Sequence, residues 1–141
     1  MADSSDIDNA LIAKLGSDAA LLALMPNGVY WGVAPPDSTR FVIVSLVDEA
    51  DEWTFGGRAA EDAVYLVKAV GLSTTNPDMK AAAARIDALL DGGTLAAAGY
   101  TLMAMRREVR IRPPVEVDDV DPKIRWYHRG GHYRVTMALG A

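Results

Sequence analysis

Two histidines lie four residues apart, His128 and His132, and they are the only histidines in the 141-residue chain. Imidazoles at that spacing suit a metal ion when they lie on one face of a helix. Here they flank Gly130-Gly131 inside a β-prone segment, and the sequence offers no obvious third ligand, which a zinc site requires. We interpret both as polar residues beside a strand irregularity and predict no metal site.

An acidic cluster near the C-terminus, Asp118-Asp119 followed by Asp121, carries the oxygen ligands that Ca²⁺ prefers. It lacks the alternating ligands, the central glycine and the terminal glutamate with which an EF-hand loop wraps the ion. The pattern is typical of a solvated acidic loop. Residues 113–123, which open with Pro113-Pro114, are therefore predicted to form a projecting loop.

Signatures of catalysis and of cofactor binding are missing from the sequence. The Gly-Gly pairs lack the spacing of dinucleotide-binding loops and the Lys-Ser/Thr of a P-loop. Ser45 lies within a predicted strand and not on a nucleophile elbow. The chain has no cysteine for thiol chemistry, zinc ligation or disulfides. We predict a protein that is not an enzyme and binds no cofactor, although a Ser/His/Asp set assembled only by folding would escape this reasoning.

Arginines concentrate towards the C-terminal end, and strand alternation is predicted to place Arg106, Arg110 and Arg112 on one face. Such a stripe suits either nucleic acid or the carboxylates of a neighbouring subunit, because the arginine fork pairs with both. The net charge of −5 and the presence of Glu108 in the stripe argue against sequence-independent DNA binding. We favour interface or ordinary surface positions, and we include Arg134 of the last strand among the interface candidates.

The segment between the two most apolar stretches, residues 48–62, is acidic at first and then aromatic and glycine-rich. Because it is longer than a tight hairpin connection, it is predicted to be a projecting loop. Its two aromatic residues are either anchors for a partner or a lid folded over the sheet, and the composition leaves both open. The interface hypothesis includes Asp51, Glu52, Trp53, Phe55 and Arg58 of this segment.

Helix signals near the N-terminus predict one helix and one short helical turn. Ser5 and Asp8 have the spacing of a capping box, and the stripe that follows ends at Gly16. Asp18, with Ser17 before it, suits the start of a second turn that extends to Met25. The apolar stripe of the first helix, with a residue at every fourth position, is Ile7, Leu11 and Leu15.

The strongest helix signal begins at Asn76-Pro77-Asp78. Asparagine is a good N-cap, proline fits the first helical position, and an acid favours the positive end of the helix dipole. The helix is predicted to end at Asp91-Gly92-Gly93. Its predicted buried face is Met79, Ala83, Ile86 and Leu90.

Strand signals fill most of the remaining chain. Residues 41–47 and 64–70 are nearly all apolar, which predicts strands covered on both faces or central in a sheet. In the last strand-like segment the apolar residues change parity across Gly130-Gly131, although a strand alternates with a period of two. We therefore expect either a bulge in one long strand, which we favour, or a hairpin turn.

The order of these elements predicts an α+β fold, with an antiparallel or mixed β-sheet of four to five strands packed against two helices. A length of 141 residues fits a single domain over 1–141. No apolar run approaches the roughly 20 residues that span a bilayer, so no membrane is expected. The acidic N-terminus has no signal-peptide pattern, and we expect folding in a reducing cytoplasm.

Charge is divided unevenly along the chain. Residues 1–75 hold 4 basic and 11 acidic side chains, and residues 76–141 hold 10 basic and 8 acidic ones. The division indicates either two faces that meet different neighbours or simply the placement of solvent-exposed loops.

A set of small motifs extends over nearly the entire chain in a defined order. They are Ala20–Leu24, Val29-Tyr30, a turn with Pro36, Phe41–Leu46, the helix from Asn76-Pro77 to Leu90, and an arginine-rich strand pair closing on Tyr133-Arg134-Val135. In these motifs and their order the chain resembles the tail-completion, or tail terminator, family of long-tailed phages and related gene transfer agents, which has no catalytic signature.

The resemblance implies a structural virion protein that forms a ring, commonly a hexamer, on the head-proximal end of the tail tube, at the head–tail junction. Its partners would be copies of itself, the major tail tube protein and a head-completion or neck protein. The ring would stop tube polymerisation, and DNA would pass through its lumen without specific binding. The acidic first half and the more basic second half also suit a contact between neighbouring subunits.

Two segments depart from the family pattern, residues 48–62 and the acidic loop with Asp118 and Asp119. We expect both to be interface loops that become ordered on assembly. The alternative functions are a neck or head-completion subunit of the same virion, or a small cytoplasmic α+β enzyme or ligand-binding domain. The enzyme alternative requires a deep polar pocket with converging ionisable groups.

Overall fold

The computed structural model describes residues 5–54, 57–72, 77–111, 116–117 and 125–139, with side chains for all of these except 50–54, 57–59, 77, 116–117 and 125. Its helices are α1 (Ser5–Gly16), α2 (Ala19–Leu24) and α3 (Pro77–Leu90). Its strands are β1 (Val29–Trp31), β2 (Arg40–Thr54), β3 (Gly57–Leu72), β4 (Tyr100–Ile111), β5 (Glu116–Val117) and β6 (Arg125–Leu139). The predicted α+β class is confirmed.

The strands form a single mixed sheet in the order β1-β2-β3-β6-β4, with the two-residue β5 added to β6. β1 runs parallel to β2, and the other pairs are antiparallel. The two strongly apolar stretches lie on β2 and β3, which have neighbours on both sides where the sheet is widest. Their predicted interior position is confirmed.

In the described residues 48–54 and 57–62, the structure has strands where a projecting loop was predicted. β2 and β3 stay paired as one long hairpin from Arg40 opposite Gly71 to Thr54 opposite Gly57. Bulges at Val47 and Ala59 take up one extra residue on each strand, so pairing continues through the polar sequence. Among the described residues, β1 pairs with β2 only as far as Val44. The polar composition that indicated a loop is tolerated because this part of β2 is an edge.

The outermost part of this hairpin, residues 48–54 and 57–59, is called the hairpin end below. Beyond Ala60, in the part of the chain that the structure describes, β3 pairs with β2 alone. The hairpin end therefore extends past the described end of the neighbouring strand β6.

Neither interpretation of Gly130-Gly131 is correct, since β6 runs through both glycines without a turn or a bulge. Its pairing with β3 keeps one register from Trp126 opposite Leu72 to Ala138 opposite Ala60. The apolar parity changes because Trp126 faces one side of the sheet and Tyr133 faces the other, and both sides carry apolar side chains.

The three helices of the described chain pack against one side of the sheet, called the helix face below. The predicted stripe of α1 is confirmed, since Ile7, Leu11 and Leu15 are buried there. In α3, Met79, Ile86 and Leu90 are buried as predicted, but Ala82 occupies the core in place of the predicted Ala83. The sheet contributes Val42, Val44, Tyr65, Val67, Tyr133, Val135 and Met137 to the same core.

The opposite side, called the open face, carries a groove of about 690 Å³. Its sheet-borne lining is mostly apolar and includes Phe41, Ile43, Leu66, Val70 and Trp126, and the loop from Gly32 to Thr39 borders it. The rings of Phe41 and Trp126 lie 6.3 Å apart. Both sides of β2 and β3 are thus apolar, which explains why their sequences do not alternate.

Candidate interface surfaces

Arg134, one of the predicted interface residues, lies on the open face and is already matched within the subunit. Its guanidinium donates to Asp62 Oδ2 at 2.7 Å and also to the carboxylate of Glu108. The Thr136 hydroxyl donates to the other oxygen of Asp62 at 3.2 Å. The hydrogen bond from Arg134 lowers the pKa of Glu108, and its bonds to the carboxylates raise the pKa of Arg134. This cross-strand network links β3, β4 and β6.

The predicted arginine stripe is divided between the two faces. Arg106 lies opposite Arg134 of β6, whereas Arg110 lies opposite Gly131. A bulge at Glu108 inserts one residue into β4 between them, and an extra residue reverses the side on which the following residues point. The prediction that Arg106 and Arg110 share a face is therefore wrong, and Arg112 lies outside the described residues.

Arg110 instead belongs to a cleft of about 310 Å³ between α3 and the strands β4 and β6, called the basic cleft below. Apolar side chains of Ala83, Ala84 and Ile111 form part of its lining. Four basic side chains of the described chain border it: Lys80, Arg107, Arg110 and Arg129. The prediction included only Arg110 of these four.

One carboxylate, Asp87, lies in the basic cleft, and it is already engaged. Arg107 Nη1 lies 2.9 Å from Asp87 Oδ1, and the Tyr133 hydroxyl donates to the same oxygen at 3.0 Å. Burial, with the nearby charge of Asp87, raises the pKa of Tyr133. Among the described residues, no ion pair is formed by Lys80, Arg110 or Arg129. The basic cleft therefore has unmatched positive charge.

Gly131 lies beside the stem of Arg107, one of the cations of the cleft. The residue is buried, and a Cβ there would lie 3.2 Å from Arg107 Cδ and 2.7 Å from the carbonyl oxygen of Val109. Without a side chain, β6 lets the stem of Arg107 cross it towards α3. The sequence offered two signals that were interpreted separately: the Gly-Gly pair as a bulge or a hairpin turn, and the C-terminal arginines as an interface or nucleic-acid surface.

The acidic-aromatic candidates lie at the hairpin end. Asp51 lies opposite Glu61, and Trp53 lies opposite Arg58 in the β2–β3 register. The neighbouring Asp48 and Glu49 have exposed side chains. Glu52 is on the same strand, and Phe55 lies outside the described residues.

Glu61 was grouped with this acidic segment, but the structure buries it. It is 3% exposed on β3, and the Tyr100 hydroxyl donates to its Oε2 at 2.6 Å. Sequence reasoning missed this pair because the partners are separated by α3 along the chain and become neighbours only through β6.

Asp118 and Asp119 lie outside the described residues, so their place in an interface stays a prediction. Within residues 113–123 the structure describes Glu116–Val117, which pair with Trp126 and Arg125 as strand β5. At least these two residues are part of the sheet and not of a projecting loop.

The two histidines are both on β6, at the positions either side of Gly130 that face the open side. Across the described ranges of the chain, no group of three or more His, Asp or Glu side chains is placed to hold a metal ion. His128 lines the apolar groove together with Lys68 and Ser45. Asp37, Ser38 and Thr39 add further polar side chains to its lining.

In the described ranges, none of the helices combines the length and the apolar character needed to cross a membrane.

Comparisons with known proteins connect this fold to a solved structure. A chain in the structure "Virion of native gene transfer agent (GTA) particle" is similar over 96% of this chain and 96% of its own, with a TM-score of 0.74 and 22% sequence identity. A second solved protein, which carries no functional description, is similar over 100% of this chain and 98% of its own, with a TM-score of 0.59 and 15% identity. At these identities the likeness shows a shared fold.

The sequence matches no protein family and no curated protein.

Proposed function

We propose that this chain is a structural protein of a phage or gene-transfer-agent particle that closes the head-proximal end of the tail tube as a ring. The observation that carries the proposal is the fold likeness to a chain of the native gene transfer agent virion, which extends over 96% of both chains. The finer role, tail termination, is supported by the resemblance of the sequence to tail terminators.

The arrangement of the surfaces supports a role in assembly. A ring of identical subunits joined head to tail needs two different surfaces on each subunit. The hairpin end and the basic cleft are two such surfaces, and they differ in charge. Termination then follows from shape: one face of the ring fits the last ring of tube subunits, and the other does not repeat it, so that growth stops there. That second face would receive the head-completion protein.

Deletion of the gene in a producing phage or gene transfer agent tests the proposal. We expect overlong tails that do not join heads, and restoration by the wild-type gene supplied in trans. Tail length and head attachment are measured by negative-stain electron microscopy. A gene carrying Met103→Ala serves as a control and is expected to complement fully, because Met103 is exposed and lies outside the hairpin end and the basic cleft.

The outcomes separate the candidate roles. Overlong tails support termination. Tails of normal length that do not join heads would assign the chain to the neck and contradict termination. Tails of normal length joined to heads would overturn both roles. A gold label on the C-terminus of the chain would locate it at the head–tail junction, and a label elsewhere would contradict the proposed position.

A further inference from the structure

We propose that the basic cleft of one copy receives the acidic side chains of the hairpin end of a neighbouring copy. This inference rests on the proposed ring, and it names the two surfaces that meet there.

Among the described residues, the cleft has more cations than partners for them. Lys80 and Arg110 are exposed, and of the four described cations Arg107 forms an ion pair, with Asp87. A ligand with several carboxylates would neutralise the remaining cations, and arginine binds a carboxylate through two parallel hydrogen bonds. The apolar lining from Ala84 and Ile111 adds a place for an aromatic or aliphatic side chain.

The hairpin end has the complementary composition. Its sequence contains four carboxylates, Asp48, Glu49, Asp51 and Glu52, against one cation, Arg58, and it also contains Trp53. Its two strands pair as far as Thr54 opposite Gly57, with a bulge at Ala59. A paired hairpin loses less conformational entropy on binding than an unpaired loop of the same length would.

The hairpin end cannot reach the cleft of its own subunit. At the cleft, Gly130 lies opposite Lys68 of β3. Lys68 and Arg58 are on the same strand, separated by about 33 Å at a rise of about 3.3 Å per residue. The cleft is also on the side of α3 and β4, whereas the hairpin end extends from β2 and β3. The contact must therefore join two copies through unlike surfaces, which produces rings when the rotation closes.

A second copy is a better occupant than nucleic acid. A cleft of about 310 Å³ takes a few side chains, whereas a phosphate backbone needs an extended positive track. Asp87 lies inside the cleft, Asp91 adjoins it by accepting the amide N–H of Arg107 at 3.0 Å, and the whole chain has a net charge of −5. The small size of the cleft therefore favours a compact partner with a few carboxylates over a phosphate backbone.

Paired charge reversals in the full chain test the contact. One variant reverses the cleft, with Arg110→Glu and Arg129→Glu, and the other reverses the hairpin end, with Asp51→Lys and Glu52→Lys. Each alone is expected to weaken self-association by about tenfold or more, because like charges then face each other. An equal mixture of the two is expected to restore association, since each copy again finds an opposite charge. Sedimentation equilibrium measures the dissociation constants.

A matched control separates this contact from general charge effects. The single variants Arg110→Glu and Arg106→Glu make the same charge change on the same strand. Arg106 lies opposite Arg134, away from the cleft, so Arg106→Glu is expected to leave self-association unchanged while Arg110→Glu weakens it. Circular dichroism and thermal melting confirm folding, and Arg110→Gln with Arg129→Gln replaces the reversal variant if that one does not fold. Equal weakening by Arg106→Glu, or no restoration in the mixture, would overturn the inference.

Disulfide trapping gives an independent readout. The chain has no cysteine, so Glu52→Cys combined with Arg110→Cys introduces the only two thiols. Oxidation is expected to give a ladder of linked oligomers, whereas Glu52→Cys with Met103→Cys gives none. The absence of linked species in purified particles, with a wild-type chain that stays monomeric even at millimolar concentration, would contradict a self-contact. Binding of a DNA duplex that is lost in the cleft variant, without self-association, would assign the cleft to nucleic acid.

The same variants distinguish failure of the inference from failure of the proposed function. If gene deletion gives overlong tails but the cleft variant complements normally, the proposed function stands and the inference fails. If the charge swap holds in solution while deletion leaves tails normal, the contact stands and the proposed function fails.

Discussion

The two faces of the sheet are built from the same strands but differ in what covers them. On the helix face, polar groups of the sheet meet carboxylates of the helices: the Tyr65 hydroxyl donates to Asp8 of α1 at 2.6 Å, and Tyr133 donates to Asp87 of α3. On the open face, the apolar groove around Ile43 and Trp126 has no helix of the described chain against it. The first face closes the fold of one subunit, and the second leaves apolar surface available.

From this difference we expect substitutions on the helix face to affect folding and substitutions on exposed surfaces to affect assembly. Substitutions that disturb the packing on the helix face are expected to lower the free energy of unfolding, because the close-packed side chains there cannot replace a lost contact. Exposed positions away from it lose little. Matched substitutions of one residue type in the two settings test this separation directly.

The largest effect is expected for Met105→Ala on β4. Met105 is 2% exposed under the helices, so removing its side chain leaves a cavity and lowers the free energy of unfolding by about 2–5 kcal/mol. Met103, on the same strand, is 62% exposed, and Met103→Ala is expected to change it by less than about 0.5 kcal/mol. Urea unfolding measures both, and equal losses would mean that the faces do not differ as described.

Gly130→Ala is expected to destabilise the protein by about 1–3 kcal/mol. A Cβ at Gly130 would lie 2.0 Å from the carbonyl oxygen of Val67, a backbone atom that can move only with β3 itself. Gly16→Ala is the control, since a Cβ there meets nothing within 4 Å. Thermal melting compares the two variants. A neutral Gly130→Ala would show that β3 and β6 are not held this closely.

Asp18→Ala is expected to cost about 1–2 kcal/mol, because Asp18 caps α2 and binds α3. Its Oδ2 accepts the Leu21 amide at 2.9 Å, and its carboxylate forms two hydrogen bonds with Arg85, at 2.6 and 2.8 Å. Asp18→Asn keeps a capping oxygen while removing the charge, and it should lose less. If urea unfolding shows the same loss for both, the cap contributes little compared with the ion pair.

The same residue predicts a pH dependence with a defined sign. The hydrogen bonds from Arg85, followed by that from Leu21, lower the pKa of Asp18 from 3.8 to about 2. A carboxyl whose pKa is lower in the folded state stabilises it above the unfolded pKa, and this contribution is lost as the pH falls. The stability difference between wild type and Asp18→Asn should therefore shrink from pH 4 towards pH 2. A constant difference across that range would contradict it.

The smallest effect is expected for Arg134→Gln on the open face, about 0–1 kcal/mol, because its ion pairs are partly exposed. The pKa of Glu108 should rise towards its ordinary value once the guanidinium is removed. Titration of the Glu108 carboxyl by NMR in both proteins measures the change. An unaltered pKa would show that the network in solution differs from the one described.

Local signals in the sequence were sufficient for the helices. Capping at Asp18 and the every-fourth-residue stripe of α1 depend on residues within one or two turns of each other, so the chain itself displays them. Local signals did not predict which alanine of α3 is buried, since Ala82 lies in the core and Ala83 was expected there. Both positions are alanine, and only the angle at which α3 crosses the sheet decides which one is buried.

Strand pairing between residues far apart in the chain determined features that the sequence pattern did not predict. Residues 48–62 have the composition of a loop, yet the described residues 48–54 and 57–62 pair across the hairpin as strands. The bulge at Glu108, which separates Arg106 from Arg110, depends on the register between β4 and β6. One inserted residue reverses the side on which every later side chain points. No pattern within β4 alone contains that information.

Residue types and the spacing of apolar residues were enough to predict the α+β class and the buried side of α1. They also showed the lack of a recognisable catalytic motif. Only the tertiary structure decided which charges remain unmatched. Arg134 is neutralised by Asp62 and Glu108 across two strands, whereas Arg110 is placed in a cleft with excess positive charge. In the sequence the two look alike, since each is an arginine in a predicted half-exposed strand. Whether such a charge is satisfied depends on neighbours that only folding brings within a few ångströms, since ion pairing acts over that range.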